Sequence, residues 1–361
     1  MLPDDWTRPQ PLESARALAP ELYCLPEMRA IDQAAVFRRA WHLVAHVNQL
    51  AGPGDHRVVE TALAPLIVLR DSAGQLRAFH NVCRHRAGPL ALCDGQGAKA
   101  LRCRYHGWTY TLEGQLRSAP EMNPLADHGL ADTRLHECRL AVWHGLIFVA
   151  EAEAPDFADY SRGWEAPLRS LSPADYHFHH AAHYDIDCHW KVYCDNYLEG
   201  YHVPHIHPGL NSLLDYRQYV TECGDWYSYQ YSPLDGDAGL YGDGDALYYF
   251  LYPNAMLNLL PGRLQVNRVI PLGLERCRVY FEYYYPADDS EAARARREAD
   301  HAFAHQVQVE DIDICVQVQR GLSSGSYQPG RLNPLRENAL HHFHELLRRA
   351  YREHGAASRP S

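Results

Sequence analysis

Between Cys83 and His106 the chain reads CRHRAGPLALCDGQGAKALRCRYH, a Cys-x-His pair and a Cys-x-x-His pair separated by 17 residues. Two thiols and two imidazoles on two short loops converge most simply on one metal centre. Two chemistries satisfy that donor set. One is a tetrahedral structural zinc. The other is a [2Fe–2S] cluster in which the two cysteines hold one iron and the two histidines hold the other. Zinc pairs usually read C-x-x-C and H-x-H or longer, whereas here each arm carries one Cys and one His in the same order. Neutral imidazole in place of thiolate also removes negative charge from a cluster and raises its reduction potential.

The rest of the chain is long enough to serve such a centre. Its 361 residues suggest two or three domains, and 46% hydrophobic with 22% charged residues is ordinary for a globular protein. Lys plus Arg number 34 against 45 Asp plus Glu, a net charge of −11 without a basic block, so no nucleic-acid partner is expected. The apolar run Ala62–Leu69 is short and interrupted by Pro65, which predicts no membrane span. The opening MLPDDWTRPQ lacks a basic region followed by an apolar run, so no secretory signal is expected. The ten cysteines are scattered rather than framed as disulfides, which points to free thiols and a cytoplasmic setting.

Residues 1–40 read as a helical lead-in that packs on a catalytic domain, with Met28, Ile31, Ala34, Ala35 and Phe37 at helical spacing. From Trp41 to about 153 come brief β-type runs (Val58–Thr61, Leu66–Leu69, Leu146–Val149) between Gly, Pro and Asp turns. They predict a small β-sandwich from which the Cys/His loops protrude. The acidic stretch 151–163 reads as a linker. Residues 154–361 mix β-forming aromatic runs (Trp226–Tyr231, Val279–Tyr285) with helical segments (Asp195–Tyr201, Ser290 to about Gln319). The expected class is therefore α+β, a β-sandwich domain followed by an antiparallel sheet flanked by helices.

A second constellation lies in WKVYCDNYLEGYHVPHIHP, residues 190–208. His202 and His207 are separated by four residues including Pro204, which breaks a helix and lets the second imidazole swing back. Two histidines with one carboxylate would form a facial triad that leaves iron positions open. A carboxylate donor is available in VQVEDIDICVQVQRG, at Asp311 or Asp313. His205 competes with His207, because Glu199, His202 and His205 follow at i, i+3 and i+6.

These stretches resemble a known family. FHNVCRHR and CRYHGWTYTLEGQL are similar to Rieske iron–sulfur proteins, and WK-x3-DNYLEGYHVPxxHPG looks like the mononuclear-iron motif of Rieske non-haem iron oxygenase large subunits. The resemblance implies a cluster on Cys83, His85, Cys103 and His106, and an iron on His202, His207 and Asp311. It implies that Glu199 bridges an iron ligand to a cluster histidine of the next subunit, and it places Asp195 and Asn196 near the iron. It also implies a terminal oxygenase that uses O2 and electrons from a separate NAD(P)H-dependent flavin/iron–sulfur reductase or a ferredoxin, assembled as a homotrimer. Relatives often carry an acidic residue where this chain has Val316.

LYYFLYPNAMLN, QRGLSSGSYQPGRL and ALHHFHELLRRAY are similar to the branch of that family acting on choline, betaines and carnitine. The expected activity is hydroxylation or N-demethylation of a small quaternary ammonium compound. Aromatics crowd into Trp226, Tyr227, Tyr229, Tyr231, Tyr241, Tyr248, Tyr249, Phe250 and Tyr252. Of these Trp226, Tyr229, Tyr231 and Tyr249, together with Tyr197, are the expected walls of a cation-holding pocket, although aromatics also pack strands. An aryl-carboxylate or aromatic-ring oxygenase would keep every metal residue and change only this pocket. A simple electron carrier would need only the first constellation.

Overall fold

The structure is a computed structural model, and it describes residues 2–168, 176–234 and 239–357. The chain divides into a unit spanning Arg38–Pro155 and a larger one formed by Met1–Phe37 with Asp156–Ser361.

The smaller unit is built from three antiparallel three-stranded sheets, ordered β1-β9-β8, β2-β3-β4 and β5-β6-β7. The strands are β1 (His42–His46), β2 (His56–Val59), β3 (Leu66–Arg70), β4 (Leu76–His80), β5 (Leu101–Arg102), β6 (Thr109–Tyr110), β7 (Leu116–Ser118), β8 (Arg139–Trp143) and β9 (Leu146–Ala150). The first two sheets face each other across Val44, Val59, Leu66, Val68, Ile147 and Val149, all 2% exposed or less. These β-branched and aliphatic side chains suit a pleated inner face. A second core, including Ile67, Phe79, Tyr110 and Leu116, lies under the third sheet and takes in Cys83 and Cys103. The boundary of this unit, after Pro155, falls inside the acidic 151–163 stretch.

The larger unit opens with α1 (Asp4–Thr7), α2 (Glu21–Cys24) and α3 (Met28–Ala35), and resumes with α4 (Phe157–Tyr160). Its centre is a seven-stranded antiparallel sheet, ordered β10-β16-β15-β14-β13-β12-β11. The strands are β10 (His177–Ile186), β11 (Val220–Cys223), β12 (Tyr227–Pro233), β13 (Asp245–Leu251), β14 (Ala255–Leu260), β15 (Arg263–Pro271) and β16 (Cys277–Tyr285). Between β10 and β11 come α5 (Trp190–Tyr197), α6 (Val203–Ile206) and α7 (Pro208–Leu213). After β16 come α8 (Glu291–Ser323) and α9 (Asn338–Ala357).

Helix α8 begins at Ser290, whose Oγ accepts from the Ala293 amide at 3.2 Å, a standard N-cap. Its Ala304, Gln308, Cys315 and Gln319 are buried, and with Asp311 they follow at i, i+4, i+7, i+11 and i+15, one face of a helix. Helix α5 is anchored by a buried carboxylate. Asp32 of α3 accepts from Trp190 Nε1 at 2.8 Å, Lys191 Nζ at 2.9 Å and Tyr351 Oη at 2.6 Å. This ties the N-terminal segment and α9 to the start of the helix that leads into residues 199–207.

Candidate metal centres and the adjoining cavity

Cys83 and Cys103 sit in two loops with the same hydrogen-bond pattern. The Cys83 amide donates to Gly88 O at 2.8 Å and Ala87 N–H returns to Cys83 O at 3.0 Å. The Cys103 amide donates to Trp108 O at 2.9 Å and Gly107 N–H returns to Cys103 O at 3.0 Å. Each turn needs a left-handed residue four positions after its cysteine, Ala87 at φ 56° and Gly107 at φ 76°. The thiols are buried, at 3% and 2% exposure, while His85 is exposed and His106 half-buried. The two imidazole rings lie 4.6 Å apart between centroids, and His85 stacks on Trp108 at 4.8 Å.

The surroundings fit a cluster. A Cβ at Gly88 would stand 2.9 Å from Cys103 Sγ, so only glycine leaves that sulfur its space. Tyr110 Oη lies 3.2 Å from Cys83 Sγ, placed to donate to a thiolate sulfur. Burial pushes the Cys83 thiol up, and the Cys103 thiol adds to this, while Tyr110 and the His85 amide oppose it. A metal removes that thiol proton, because thiolate is the ligand. With both sulfurs inside and both imidazoles at the surface, the donor set suits a [2Fe–2S] cluster that exchanges electrons at its histidine end.

In the larger unit, α5 ends at Tyr197 with Leu198 as its cap, earlier than the Asp195–Tyr201 helix expected from sequence. Glu199, His202 and His205 therefore do not share one continuous helix. Pro204 occupies the first turn of α6, where a missing N–H costs nothing, rather than breaking a helix. His202 precedes α6 and His207 stands between α6 and α7.

The ligand atoms of His202, His207 and Asp311 all lie within 4.8 Å of one another. His207 Nε2 is 3.0 Å and His202 Nε2 3.8 Å from Asp311 Oδ1. Each imidazole turns its other nitrogen to a carboxylate: His202 Nδ1 to Glu199 Oε1 at 2.6 Å, and His207 Nδ1 to Glu310 Oε2 at 2.7 Å. Such partners fix the ring and leave Nε2 for a metal. Asn196 Nδ2 donates to Asp311 Oδ1 at 2.6 Å. Burial disfavours a charged His207, but Asp311 and Glu310 outweigh it and raise this imidazole above its ordinary value. Two imidazoles and one carboxylate on one side fit a mononuclear iron with open positions.

The competing residues are not in this cluster. His205 and Asp313 are exposed. Asp195 is engaged elsewhere, accepting from Tyr23 Oη at 2.6 Å and facing His344 Nε2 at 3.1 Å. Glu310 was not anticipated; its adjacency to Asp311 was the only sequence signal.

A cavity opens beside the triad. Its wall includes Tyr197, but not Trp226, Tyr229, Tyr231 or Tyr249, which corrects the expected aromatic box. The reason is strand alternation. On β12 the buried Ser228, Gln230 and Ser232 take one face, and Gln230 reaches the cavity while Tyr229 and Tyr231 point the other way. On β13 Tyr248 lines the cavity. Its neighbour Tyr249 donates to Trp164 O at 2.8 Å instead. Trp226 stacks on Tyr160 with centroids 5.4 Å apart.

The aromatic wall is Tyr193, Tyr197, Tyr219, Tyr241, Tyr248, Phe281 and Phe303. Arg263 is the one Lys or Arg among the described lining residues. It pairs with Asp300 at 3.3 Å and donates to Tyr241 Oη at 3.1 Å.

A profile for the Rieske [2Fe-2S] domain matches residues 40–131, and one for the ring hydroxylating alpha subunit catalytic domain matches residues 173–233 and 226–353. The chain is 36% identical to the chloroplastic choline monooxygenase of Arabidopsis thaliana, over 93% of this chain and 83% of that protein. It is 27% identical to the carnitine monooxygenase oxygenase subunit of Escherichia coli K12, over 92% and 95%. A quaternary ammonium Rieske monooxygenase, whose structure bears on carnitine oxidation and inter-subunit electron transfer, superposes with a TM-score of 0.88. The match is at 22% identity, over 97% of this chain and 99% of that one. Two paired Cys/His loops, a two-histidine–carboxylate triad and these matches lead to one conclusion: the chain belongs to the Rieske non-haem iron oxygenase large subunits, oxidoreductases that carry a [2Fe–2S] cluster and a mononuclear iron.

Proposed function

We propose that this chain is the terminal oxygenase of a system that hydroxylates a small quaternary ammonium compound. In this reading Cys83, His85, Cys103 and His106 hold the cluster, and His202, His207 and Asp311 hold the iron. The observation that carries the substrate reading is the cavity wall, where seven aromatic side chains surround the space beside the triad. A trimethylammonium group gains about 0.5–2 kcal/mol from a ring face, more as water is excluded. Arg263 is already matched by Asp300, so among the described lining residues no uncompensated Lys or Arg waits for an aryl carboxylate. For the same reason an alcohol tail suits the cavity better than a carboxylate tail.

When bound, the iron supplies the reduction of O2 and the transfer of one oxygen atom to a C–H bond. The residues supply position. Glu199 and Glu310 orient the two imidazoles, Asn196 holds Asp311, and the aromatic wall displaces water around the cationic head. For a choline-like alcohol the overall change is R–CH2OH + O2 + 2 e⁻ + 2 H⁺ → R–CH(OH)2 + H2O. Hydroxylation of an N-methyl group instead gives a carbinolamine that releases formaldehyde.

The two electrons come from a separate NAD(P)H-dependent reductase or ferredoxin, arriving at the histidine end of the cluster. Glu199 is bonded to His202 and 12% exposed at its side chain, which supports a role in linking His202 to a cluster histidine of a neighbouring subunit. That path requires an oligomer, for which we propose a homotrimer. The ten cysteines, all free, support a reducing, cytoplasmic compartment. Among the described residues no helix is long and apolar enough to cross a membrane.

The test is turnover of iron-loaded protein with a surrogate reductase and NADH on choline, glycine betaine, carnitine and aryl carboxylates, read by mass spectrometry and a formaldehyde assay. The expected result is product from a quaternary amine, lost in His202→Ala. Product from an aryl acid alone would overturn the substrate reading and leave the metal reading standing.

A further inference from the structure

Besides Cys83, His85, Cys103 and His106, the Arg38–Pro155 unit holds a further convergence of metal-ligating side chains: His80, His136, Cys138 and Glu151. It is built by the backbone. The segment 136–138 runs antiparallel to the end of β4, with the His80 amide donating to His136 O at 2.9 Å and the Cys138 amide to Ala78 O at 2.9 Å. Cross-strand partners and alternate residues share a sheet face. His80, His136 and Cys138 thus fall on one side, and Glu137 falls on the other, where it accepts from Arg77 Nη1 at 2.7 Å. Glu151, the residue after β9, arrives on the His/Cys side and sets Oε1 2.8 Å from His80 Nε2 and Oε2 2.9 Å from His136 Nε2. The imidazole centroids are 4.1 Å apart. Cys138 is 6% exposed, whereas the His136 side chain is 48% exposed, so the group is reached from solvent on one side.

We propose that these four residues form a structural zinc site. Two imidazole nitrogens, one thiolate and one carboxylate oxygen make a closed tetrahedral donor set of the type zinc takes. The four donor atoms already lie within 4.8 Å of one another. Donors around zinc stand roughly 3.3–3.8 Å apart, so the widest pair closes by at most about 1.5 Å and the His–Glu pairs open slightly. The ion would fasten the end of β4, three residues before Cys83, to the strands that follow.

The test uses full-length protein with its irons in place, loaded with zinc under reducing conditions and washed free of loose metal. Mass-spectrometric metal analysis should find about one zinc per chain. Zinc-edge X-ray absorption should show one sulfur at about 2.3 Å and nitrogen or oxygen at about 2.0 Å. Zinc lodged in the Cys83/Cys103 loops would show two sulfurs, and zinc at His202/His207/Asp311 would show none, so the spectrum separates the three places. Cys138→Ser, which is nearly isosteric, should lose the sulfur signal. His136→Ala, at the exposed edge, should lose most of the zinc while keeping the cluster's electron paramagnetic resonance signal. A sub-stoichiometric zinc content in the parent protein, a spectrum without a single sulfur, or an unchanged spectrum in Cys138→Ser would each overturn the proposal. The group would then be a carboxylate clamp that accepts from two imidazoles.

Discussion

Glu310 offers the sharpest test of how the proposed iron site is supported. Its Oε2 lies 2.7 Å from His207 Nδ1, and the His207 side chain is only 1% exposed, so the imidazole has little alternative partner. A hydrogen bond to a charged group contributes about 1.5–3 kcal/mol, and loss of such a partner behind a metal-bound histidine costs roughly 10–100-fold in affinity. The Glu310 side chain is 25% exposed, so water can partly replace it, which points to the lower end. Glu310→Ala should therefore weaken Fe(II) binding about tenfold, or ~1.4 kcal/mol. Glu310→Gln, which keeps an acceptor oxygen without the charge, should fall between it and the parent. The assay is Fe(II) titration against a competing chelator, with the cluster's resonance signal as a check that the other centre is intact. Fe(II) affinity within twofold of the parent in Glu310→Ala would refute the reasoning.

Three further outcomes follow from the same geometry. In metal-free protein the raised His207 value means its protonated form stabilises the fold. That contribution is present below the ordinary 6.5 and is lost as pH rises through the folded value, so the denaturant midpoint should fall from pH 6.5 upward and His207→Asn should flatten this slope. Asp32→Ala leaves Lys191, 0% exposed, without its carboxylate, and chemical denaturation should report a loss of about 3–5 kcal/mol. Tyr110→Phe removes the hydroxyl 3.2 Å from Cys83 Sγ, and redox titration should find the cluster potential lowered. One charge-assisted bond of about 1.4 kcal/mol corresponds to a shift on the order of 60 mV.

The Cys/His pairs and the two histidines of the candidate centres were legible because the information is local. Cys83 and His85, or Cys103 and His106, are held by one tight turn each, and the spacing within a turn fixes which side chains can meet. His202 and His207 are similarly close in sequence. The α+β class was legible too, since β-forming runs and the long helical segment ending in α8 each carry their own periodicity. Helix ends were less so: the run expected over Asp195–Tyr201 is interrupted after Tyr197. Gly200 lies three residues past that point and weakens a helix there, while the Asp32 contacts to Trp190 and Lys191, from far along the chain, hold the other end of α5.

What the sequence by itself determined, then, is the fold class and the Cys/His and His/His pairs of the candidate metal centres, because these rest on short-range spacing, whereas Asp311 joins His207 across 104 residues. Which tyrosines face the cavity was decided only by tertiary structure. Tyr229 and Gln230, or Tyr248 and Tyr249, are neighbours on strands aromatic enough to bury either face, and only the pairing of β12 with β13 and of β13 with β14 chooses the inner one. The same holds for Asp195, drawn to Tyr23 and His344, and for Glu310, brought onto His207 by a separation of 103 residues. The meeting of His80, His136, Cys138 and Glu151 likewise depends on strand register, because a slip of one residue would turn Cys138 and His136 to the opposite face.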